Sequence, residues 1–309
     1  MDMDQPDVVG FFDHKTFSVQ YVCIDPATDR CAIIDPVLDY DENAGRTRTD
    51  SADEIIEFIG RRGLTVDWIL DTHPHADHLS AAIYLQQRFD APRAIGRQVV
   101  EVQKLWKDIY NFGDDFYADG RQWDRLFDDG DRFKIGSLEA RVMLSPGHTL
   151  ASITYVVGDA AFVHDTLFMP DFGTARADFP GGDAATLYRS IEQILALPDD
   201  TRLFTGHDYM PGGREPRLLL PGQGVQKTLP RELGLLGDDR DGRDLFAAPD
   251  VHELAQVGLA ETPEAREHQG LLARGFAHIA DAVPADFCRH RLVDIHAGLP
   301  AAAPQHPVG

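Results

Sequence analysis

The stretch His73-Pro74-His75-Ala76-Asp77-His78, of the form H-x-H-x-D-H, decides the fold of this chain. Three imidazoles and a carboxylate so close together are costly to hold unless a cation shares their lone pairs. The chain has 13 histidines in 309 residues, so chance is a weak explanation for the string. The alternative is a polar loop of surface histidines, which the matching residues further along the chain disfavour. The stretch therefore predicts a metal site.

The residues around this stretch predict a strand before it and a helix after it. Residues 64–70 form a short apolar and β-branched run, which is typical of a buried strand. Residues 79–88 carry apolar side chains at a spacing that favours a helix. The metal-binding stretch then lies in a strand-to-helix loop, where a rigid scaffold holds exposed donor atoms in place.

Three later strands also end in residues that can bind a metal. A single His or Asp at such a place is usually a turn or surface residue, but repetition of the pattern favours site residues. The residues are His148 after a strand at 141–144, Asp165 after a strand at 161–163 and His207 after a strand at 202–204.

With H-x-H-x-D-H followed by His, Asp and His in this order, the chain resembles the metallo-β-lactamase superfamily. The resemblance covers roughly residues 10–217. It implies an αββα sandwich, an α/β (α+β four-layer) fold in which two mixed sheets face each other and helices lie outside. We expect this domain at residues 1–217, followed at residues 218–309 by a divergent tail that is partly helical or poorly ordered.

Two further motifs indicate a branch of the superfamily. The run Gly173-Thr174-Ala175-Arg176-Ala177-Asp178-Phe179, together with Thr205-Gly206-His207-Asp208-Tyr209, is similar to the persulfide dioxygenases. Within them the chain looks like the bacterial β-lactamase hydrolase-like proteins. A glycine-rich loop before a helix capped by Asp183 would explain the helix, but it would not explain Arg176 and Asp178.

The resemblance implies one Fe(II) per chain, held by His73, His148 and Asp165. Two imidazoles and one carboxylate on one octahedral face leave positions open for a persulfide sulfur and for O2. The implied reaction oxidises glutathione persulfide, or a related small persulfide, to sulfite and thiol. Spacing alone also allows two Zn(II) ions with a bridging water, as in hydroxyacylglutathione hydrolase.

The other polar residues of the motifs are expected near the iron without binding it. Asp77, His78 and His207 match the second metal site of the zinc hydrolases, which persulfide dioxygenases leave empty. His75 is expected beside the iron, and with these three it is assigned to the catalytic group. The expected substrate-binding residues are Arg176 through a bidentate contact, its neighbour Asp178, and Tyr209 through a hydrogen bond.

The tail leaves a third, non-enzymatic alternative open, in which the chain is a metal-bearing scaffold with a spoiled substrate pocket. Residues 218–309 show no recognisable family ending. One explanation is a different module, since Thr262-Pro263 begins an amphipathic helix pattern. The other is a change of reading frame soon after Arg217. Both predict a weakened glutathione pocket and intact metal binding.

Composition limits the partners. The chain has 29 basic and 51 acidic residues and a formal net charge of -22, which disfavours nucleic acid and anionic membranes. Residues 1–7 do not resemble a signal peptide, so a cytoplasmic protein is expected. The expected partners are a small-molecule persulfide and O2, and a homodimer is allowed.

Cysteine usage and one local motif give two further predictions. Cys23, Cys31 and Cys288 are few and odd in number, which favours reduced thiols over a disulfide framework. Cys23 and Cys31 lie on the two arms of a predicted hairpin, where small buried hydrophobic residues are expected. The run Ser51-Ala52-Asp53-Glu54 predicts a capping box at the start of a helix.

Overall fold

The computed structural model describes residues 5–219. The predicted helix after Thr262, the rest of the tail and Cys288 lie outside the described residues. The strands are β1 (Asp7–Phe12), β2 (Val19–Asp25), β3 (Arg30–Ile34), β4 (Val37–Asp41), β5 (Arg46–Arg48), β6 (Thr65–Leu70), β7 (Leu79–Ser80), β8 (Arg93–Gly96), β9 (Arg125–Phe127), β10 (Arg132–Ile135), β11 (Leu138–Leu144), β12 (Ile153–Val157), β13 (Ala160–His164) and β14 (Arg202–Thr205). The helices are α1 (Asp50–Arg62), α2 (Ala82–Phe89), α3 (Val99–Tyr110), α4 (Ala184–Leu195) and a short 3₁₀ turn at Pro211–Gly213.

Two mixed sheets carry most of these strands. The first has six strands in the order β1-β2-β3-β6-β8-β9, and the second has five in the order β10-β11-β12-β13-β14. Strands β2 and β3 form an antiparallel hairpin. Strand β3 then pairs parallel with β6, and β6 pairs parallel with β8. In the second sheet only the final pair, β13 with β14, is parallel. A small third sheet, β5-β4-β7, lies beside them.

Alternation along the strands places apolar side chains on both faces of each sheet, so each face needs a covering layer. One buried cluster fills the space between the sheets and includes Tyr21, Ile34, Val142 and Phe162. A second lies between the first sheet and the helices α1 and α2, and a third lies between the second sheet and α4. The αββα sandwich and its α+β class are therefore confirmed.

The helices begin near the predicted positions, with two corrections. Helix α2 begins at Ala82 and not at residue 79, because Leu79–Ser80 pairs with β4 as strand β7. Helix α4 is capped as predicted, because the Asp183 carboxylate accepts the Thr186 amide at 2.8 Å. Helix α1 starts earlier than the predicted capping box, with Thr49 as its N-cap residue. The box fails because the Asp39 carboxylate accepts both the amide and the hydroxyl of Ser51 at 2.9 Å. A contact with β4 therefore replaces the local cap.

Cys23 and Cys31 are both buried, as small hydrophobic residues would be. They lie on paired strands but in successive registers, since Cys23 pairs with Ala32 and Cys31 pairs with Ile24. Successive strand residues point to opposite faces, so the two thiols belong to different buried clusters. Burial raises the pKa of the Cys31 thiol to about 12, which makes it unreactive.

No helix in residues 5–219 is long and apolar enough to span a membrane.

Candidate metal centre

Four strands of the sandwich end at the same edge, and a predicted site residue follows or closes each of them. Strand β6 ends at Leu70 before His73, and β11 ends at Leu144 before His148. Strand β13 ends at His164 beside Asp165, and β14 ends at Thr205 before His207. These side chains are buried at this edge, with 6% or less of each residue exposed. The fold therefore brings together residues from distant parts of the sequence.

Donor atoms of His73, His148 and Asp165 all lie within 4.8 Å of one another. The Nε2 atom of His73 is 3.8 Å from Oδ2 of Asp165, and Nε2 of His148 is 3.7 Å from the same oxygen. Two imidazole nitrogens and a carboxylate oxygen at these separations can close on one cation. We call these three residues the triad. The structure brings the three side chains together, and their role as metal ligands remains a prediction.

The orientation of His73 is set from behind the ring. Asp35 accepts the Thr72 hydroxyl at 2.7 Å, so the Thr72 oxygen is left to accept the N–H of His73 Nδ1 at 3.0 Å. That arrangement assigns the proton to Nδ1 and leaves the Nε2 lone pair facing Asp165. Burial, followed by the neighbouring imidazoles, lowers the pKa of His73 well below its usual value. His73 is therefore a neutral donor.

The orientation of His148 is set by a backbone carbonyl. Its Nδ1 donates to the Arg176 carbonyl oxygen at 2.9 Å, which leaves Nε2 free to face Asp165. The preceding residue must be glycine, since Gly147 has φ +130 and an added Cβ would lie 2.3 Å from the Leu187 backbone. The close approach places the first turns of α4 directly against the loop that carries His148. Helix α4 thus positions one member of the triad.

His207 has a carboxylate oxygen beside each of its ring nitrogens. Its Nδ1 lies 2.6 Å from Oδ1 of Asp165, and its Nε2 lies 2.7 Å from Oδ2 of Asp77. The Ser18 hydroxyl lies 3.1 Å from both Nε2 of His207 and Oδ2 of Asp77. Burial lowers the pKa of His207, but Asp165, followed by Tyr209 and Asp77, overcomes it and holds that pKa well above its usual value. Each ring nitrogen of His207 therefore faces a carboxylate oxygen.

The remaining histidines of the motif form a stack beside the triad. The ring of His75 is 4.3 Å from that of His73 and 4.2 Å from that of His78. Nε2 of His75 pairs with Asp35 at 3.0 Å, while its buried Nδ1 has no hydrogen-bond partner among residues 5–219. Nδ1 of His78 donates to the Leu79 carbonyl, and burial lowers the pKa of His78 to about 4.

The residues that match the superfamily's second metal site are not assembled as one. Within the described part of the chain, Asp77, His78 and His207 do not form a group whose donor atoms are mutually within 4.8 Å. A group of that kind exists for His75, Asp77 and His78.

The predicted substrate residues occupy the rim. The Arg176 guanidinium forms a two-pronged pair with Asp178 at 2.5 and 2.7 Å and lies 4.7 Å from the Phe179 ring. The Arg176 side chain is 42% exposed, so it contacts the triad through its carbonyl and not through its charge. The Tyr209 ring stacks parallel to that of His207 at 5.3 Å. Their roles in substrate binding remain predictions.

A narrow cleft opens beside His148. It is mostly apolar and joins the H-x-H-x-D-H loop to helix α3 and to the loop before α4. Its lining residues are Pro74, Ala76, Val102, Trp106, His148, Thr149, Phe179 and Pro180. One triad residue, His148, thus borders a mostly apolar surface.

Sequence reasoning missed three residues of this site: Asp35, Ser18 and Arg214. Asp35 follows strand β3 directly, the same strand-end pattern that identified His148, so a signal was present. Ser18 carries no comparable signal, because it reaches Asp77 across a sequence separation of 59 residues. Arg214 likewise acts through contacts with a loop more than forty residues away.

Comparison with known proteins places this geometry in a family. The model of the metallo-β-lactamase superfamily matches residues 16–207. A β-lactamase hydrolase-like protein of Agrobacterium fabrum is 68% identical over 212 residues, covering 69% of this chain and 49% of the relative. The chain thus spans about half the length of that curated relative. A probable metallo-hydrolase of Burkholderia pseudomallei is 53% identical over 217 residues, covering 67% of this chain and 74% of the relative.

A solved structure adds to these relatives. The crystal structure of ETHE1 from Myxococcus xanthus is similar with a TM-score of 0.57 and 29% sequence identity. The similarity covers 74% of this chain and 85% of that chain. The predicted resemblance to the superfamily and to β-lactamase hydrolase-like proteins is confirmed by these matches.

Proposed function

Because the chain belongs to the metallo-β-lactamase superfamily, we propose that it is an iron-dependent persulfide dioxygenase. The substrate is glutathione persulfide or a related low-molecular-weight persulfide. The balanced reaction is RSSH + O2 + H2O giving RSH + SO3²⁻ + 2 H⁺, so the terminal sulfur is oxidised and O2 is reduced. The observation that carries the proposal is the two-histidine, one-carboxylate triad of His73, His148 and Asp165.

The donor set fits a single Fe(II). Neutral His73, neutral His148 and ionised Asp165 match the facial triad that leaves three coordination positions open. Bound Fe(II) supplies the electrons that O2 needs in order to react. The proposal of iron, as opposed to zinc, rests on the resemblance of the two motifs to the persulfide dioxygenases.

The surrounding residues have roles that do not depend on which metal is bound. Asp165 is held by His207 from the side opposite the donors, so its Oδ2 keeps one direction. Arg176 and Tyr209 lie at the rim, where a persulfide with carboxylate groups would contact them.

One experiment tests the proposal against its main rival, a two-zinc thioester hydrolase. The chain is purified anaerobically from iron-replete cells, its metals are counted, and O2 uptake and sulfite are measured with glutathione persulfide. We expect about one iron per chain and one O2 consumed per sulfite formed. Two zinc ions per chain, with thioester hydrolysis and no O2 uptake, would overturn the proposal.

A further inference from the structure

Arg214 binds two carboxylates at once, and they belong to two different walls of the site. Its Nε and Nη2 contact the two Asp171 oxygens at 2.6 and 2.9 Å. Its Nη1 and Nη2 contact the two Asp208 oxygens, each at 2.6 Å. The Arg214 side chain is only 16% exposed. Both edges of one guanidinium are therefore used, an arrangement that the single point charge of lysine does not reproduce.

One of these carboxylates is fixed to the end of β14. Asp208 follows His207 directly, and its side chain is 0% exposed. Its oxygens also accept the amides of Met210 at 3.2 Å and Arg217 at 2.6 Å. The chain reverses here through Met210, Gly212 and Gly213, all with positive φ, and so returns Arg214 to Asp208. Asp208 is the anchored end of the contact.

The other carboxylate lies at the tip of the loop between β13 and α4. Leu167 and Thr174 form a bridge across that loop, and Asp171 lies between them. The next residue, Phe172, is 49% exposed, yet its ring stacks on Tyr209 at 4.5 Å. Arg214 thus fastens the tip of this loop to the segment that carries His207.

The fastened rings form one surface beside the triad, which we call the aromatic wall: Phe168, Phe172 and Tyr209. The Phe168 ring meets those of Phe172 and Tyr209 at 5.7 and 5.5 Å. Tyr209 stacks on His207, which holds Asp165. The wall forms only if the loop between β13 and α4 and the segment after β14 keep their relative positions. Because a stack with one exposed ring is weak by itself, the charged contacts of Arg214 are needed to hold the two segments together.

We propose that Arg214 is a positioning residue that sets the aromatic wall against His207 and thereby fixes where the persulfide's organic group lies relative to the triad. The inference rests on the proposed function for the identity of the substrate. Arg214 contacts neither the triad nor the cleft beside His148, so we expect its substitution to leave the three iron ligands in place.

The test compares Arg214→Lys and Arg214→Met with a matched control, Arg202→Lys. Arg202 lies at the opposite end of β14 and forms an equally two-pronged pair with Asp159, at 2.8 and 2.7 Å. For both Arg214 variants we expect KM for glutathione persulfide to rise by about 10- to 100-fold, with iron content unchanged. The Arg202 variant should keep the wild-type KM.

Amide hydrogen exchange gives a readout that needs no activity. Phe172 and Gly173 donate to the Met169 carbonyl, so these amides report on the loop tip. In Arg214→Lys they should exchange at least about tenfold faster, whereas in Arg202→Lys they should not change. Adding Asp171→Asn to Arg214→Met should raise KM little further, because both changes remove the same contact.

The outcomes separate the two proposals. A wild-type protein without O2 uptake would defeat the proposed function, while hydrogen exchange would still decide whether Arg214 holds the loop. Unchanged exchange in Arg214→Lys, or an unchanged KM despite faster exchange, would overturn the role of Arg214. An equal rise of KM in Arg202→Lys would show that the Arg214 variants act through a general loss of stability. That result would also overturn the proposed positioning role.

Discussion

Each imidazole of the triad is aimed by a partner on its far side. The Thr72 hydroxyl oxygen accepts a hydrogen bond from His73, and the Arg176 carbonyl oxygen accepts one from His148, so both rings have a fixed orientation. The orientation of Asp165 is fixed similarly. Its Oδ1 is hydrogen-bonded to His207, which leaves its Oδ2 facing Nε2 of His73 and of His148. Such partners fix both the protonation state and the direction of a ligand before any cation arrives. The triad is therefore preorganised by hydrogen bonds that come from three separate loops.

Gly206→Ala should damage the site by direct contact. A Cβ added at Gly206 would lie 2.5 Å from Oδ1 of Asp165, the oxygen that already holds His207. The carboxylate must then shift, so we expect iron content to fall by at least about half. Gly60→Ala on helix α1 is the control, because its Cβ would meet nothing within 4 Å. Full iron in Gly206→Ala, measured beside that control, would contradict the expectation.

Metal retention should separate the triad from its neighbours. His73→Ala and Asp165→Ala should each abolish iron binding, because two remaining protein ligands compete poorly with water. His207→Ala and Asp77→Asn should weaken iron affinity and lower activity by about 10- to 100-fold, yet still load in excess iron. The measurement is iron content after anaerobic titration and desalting. Equal loss in all four variants would indicate that His207 and Asp77 are ligands of a dinuclear site.

Most strands that carry site residues could be predicted from local sequence, whereas their long-range contacts could not. Apolar runs ending in His or Asp predicted β6, β11, β13 and β14 and the residues at their ends, since such a pattern is local. What His207 contacts was not predictable in that way, because its partners Asp77 and Ser18 arrive from elsewhere in the chain. The capping box at Ser51 failed for the same reason, since the competing acceptor Asp39 belongs to another strand.

The opposite edge of the sandwich is closed by a carboxylate at the end of β2. Oδ2 of Asp25 accepts the Thr28 hydroxyl at 2.6 Å and both the amide and hydroxyl of Ser137, at 2.6 and 2.7 Å. Ser137 lies in the turn between β10 and β11, so Asp25 ties the two sheets together. Burial acts to raise its pKa, but the hydrogen bonds from Thr28 and Ser137 outweigh that and lower it to about 2.

Asp25→Ala should therefore destabilise the fold by about 2 kcal/mol at neutral pH, because buried donors lose a charged acceptor. A lowered folded-state pKa contributes stability above the unfolded value, about 3.9, and that contribution is lost as pH falls through about 2. The stability difference between wild type and variant should thus shrink between about pH 4 and about pH 2. Denaturant unfolding measures it, with Asp200→Ala, an exposed loop change, as control. A difference independent of pH in that window would show that the charge of Asp25 contributes nothing.

For the molecule as a whole, the net charge of -22 works against the proposed substrate. The arginines placed at the site are already neutralised, since Arg176 pairs with Asp178 and Arg214 with two carboxylates. The positive charges at the site are therefore neutralised by neighbouring carboxylates, while the long-range electrostatic field around the chain is negative. An anionic persulfide must approach against that field.

Salt should therefore speed the reaction. As ionic strength rises from about 0.01 M to about 0.15 M, the screening length falls from about 30 Å to about 8 Å, which weakens repulsion outside the site more than the contacts within it. We expect kcat/KM for glutathione persulfide to increase over this range, while that for an uncharged alkyl persulfide stays constant. Initial O2 uptake at low substrate measures both. A decrease for glutathione persulfide alone would mean that cationic groups dominate the approach, and the negative field would then have no part in setting the rate.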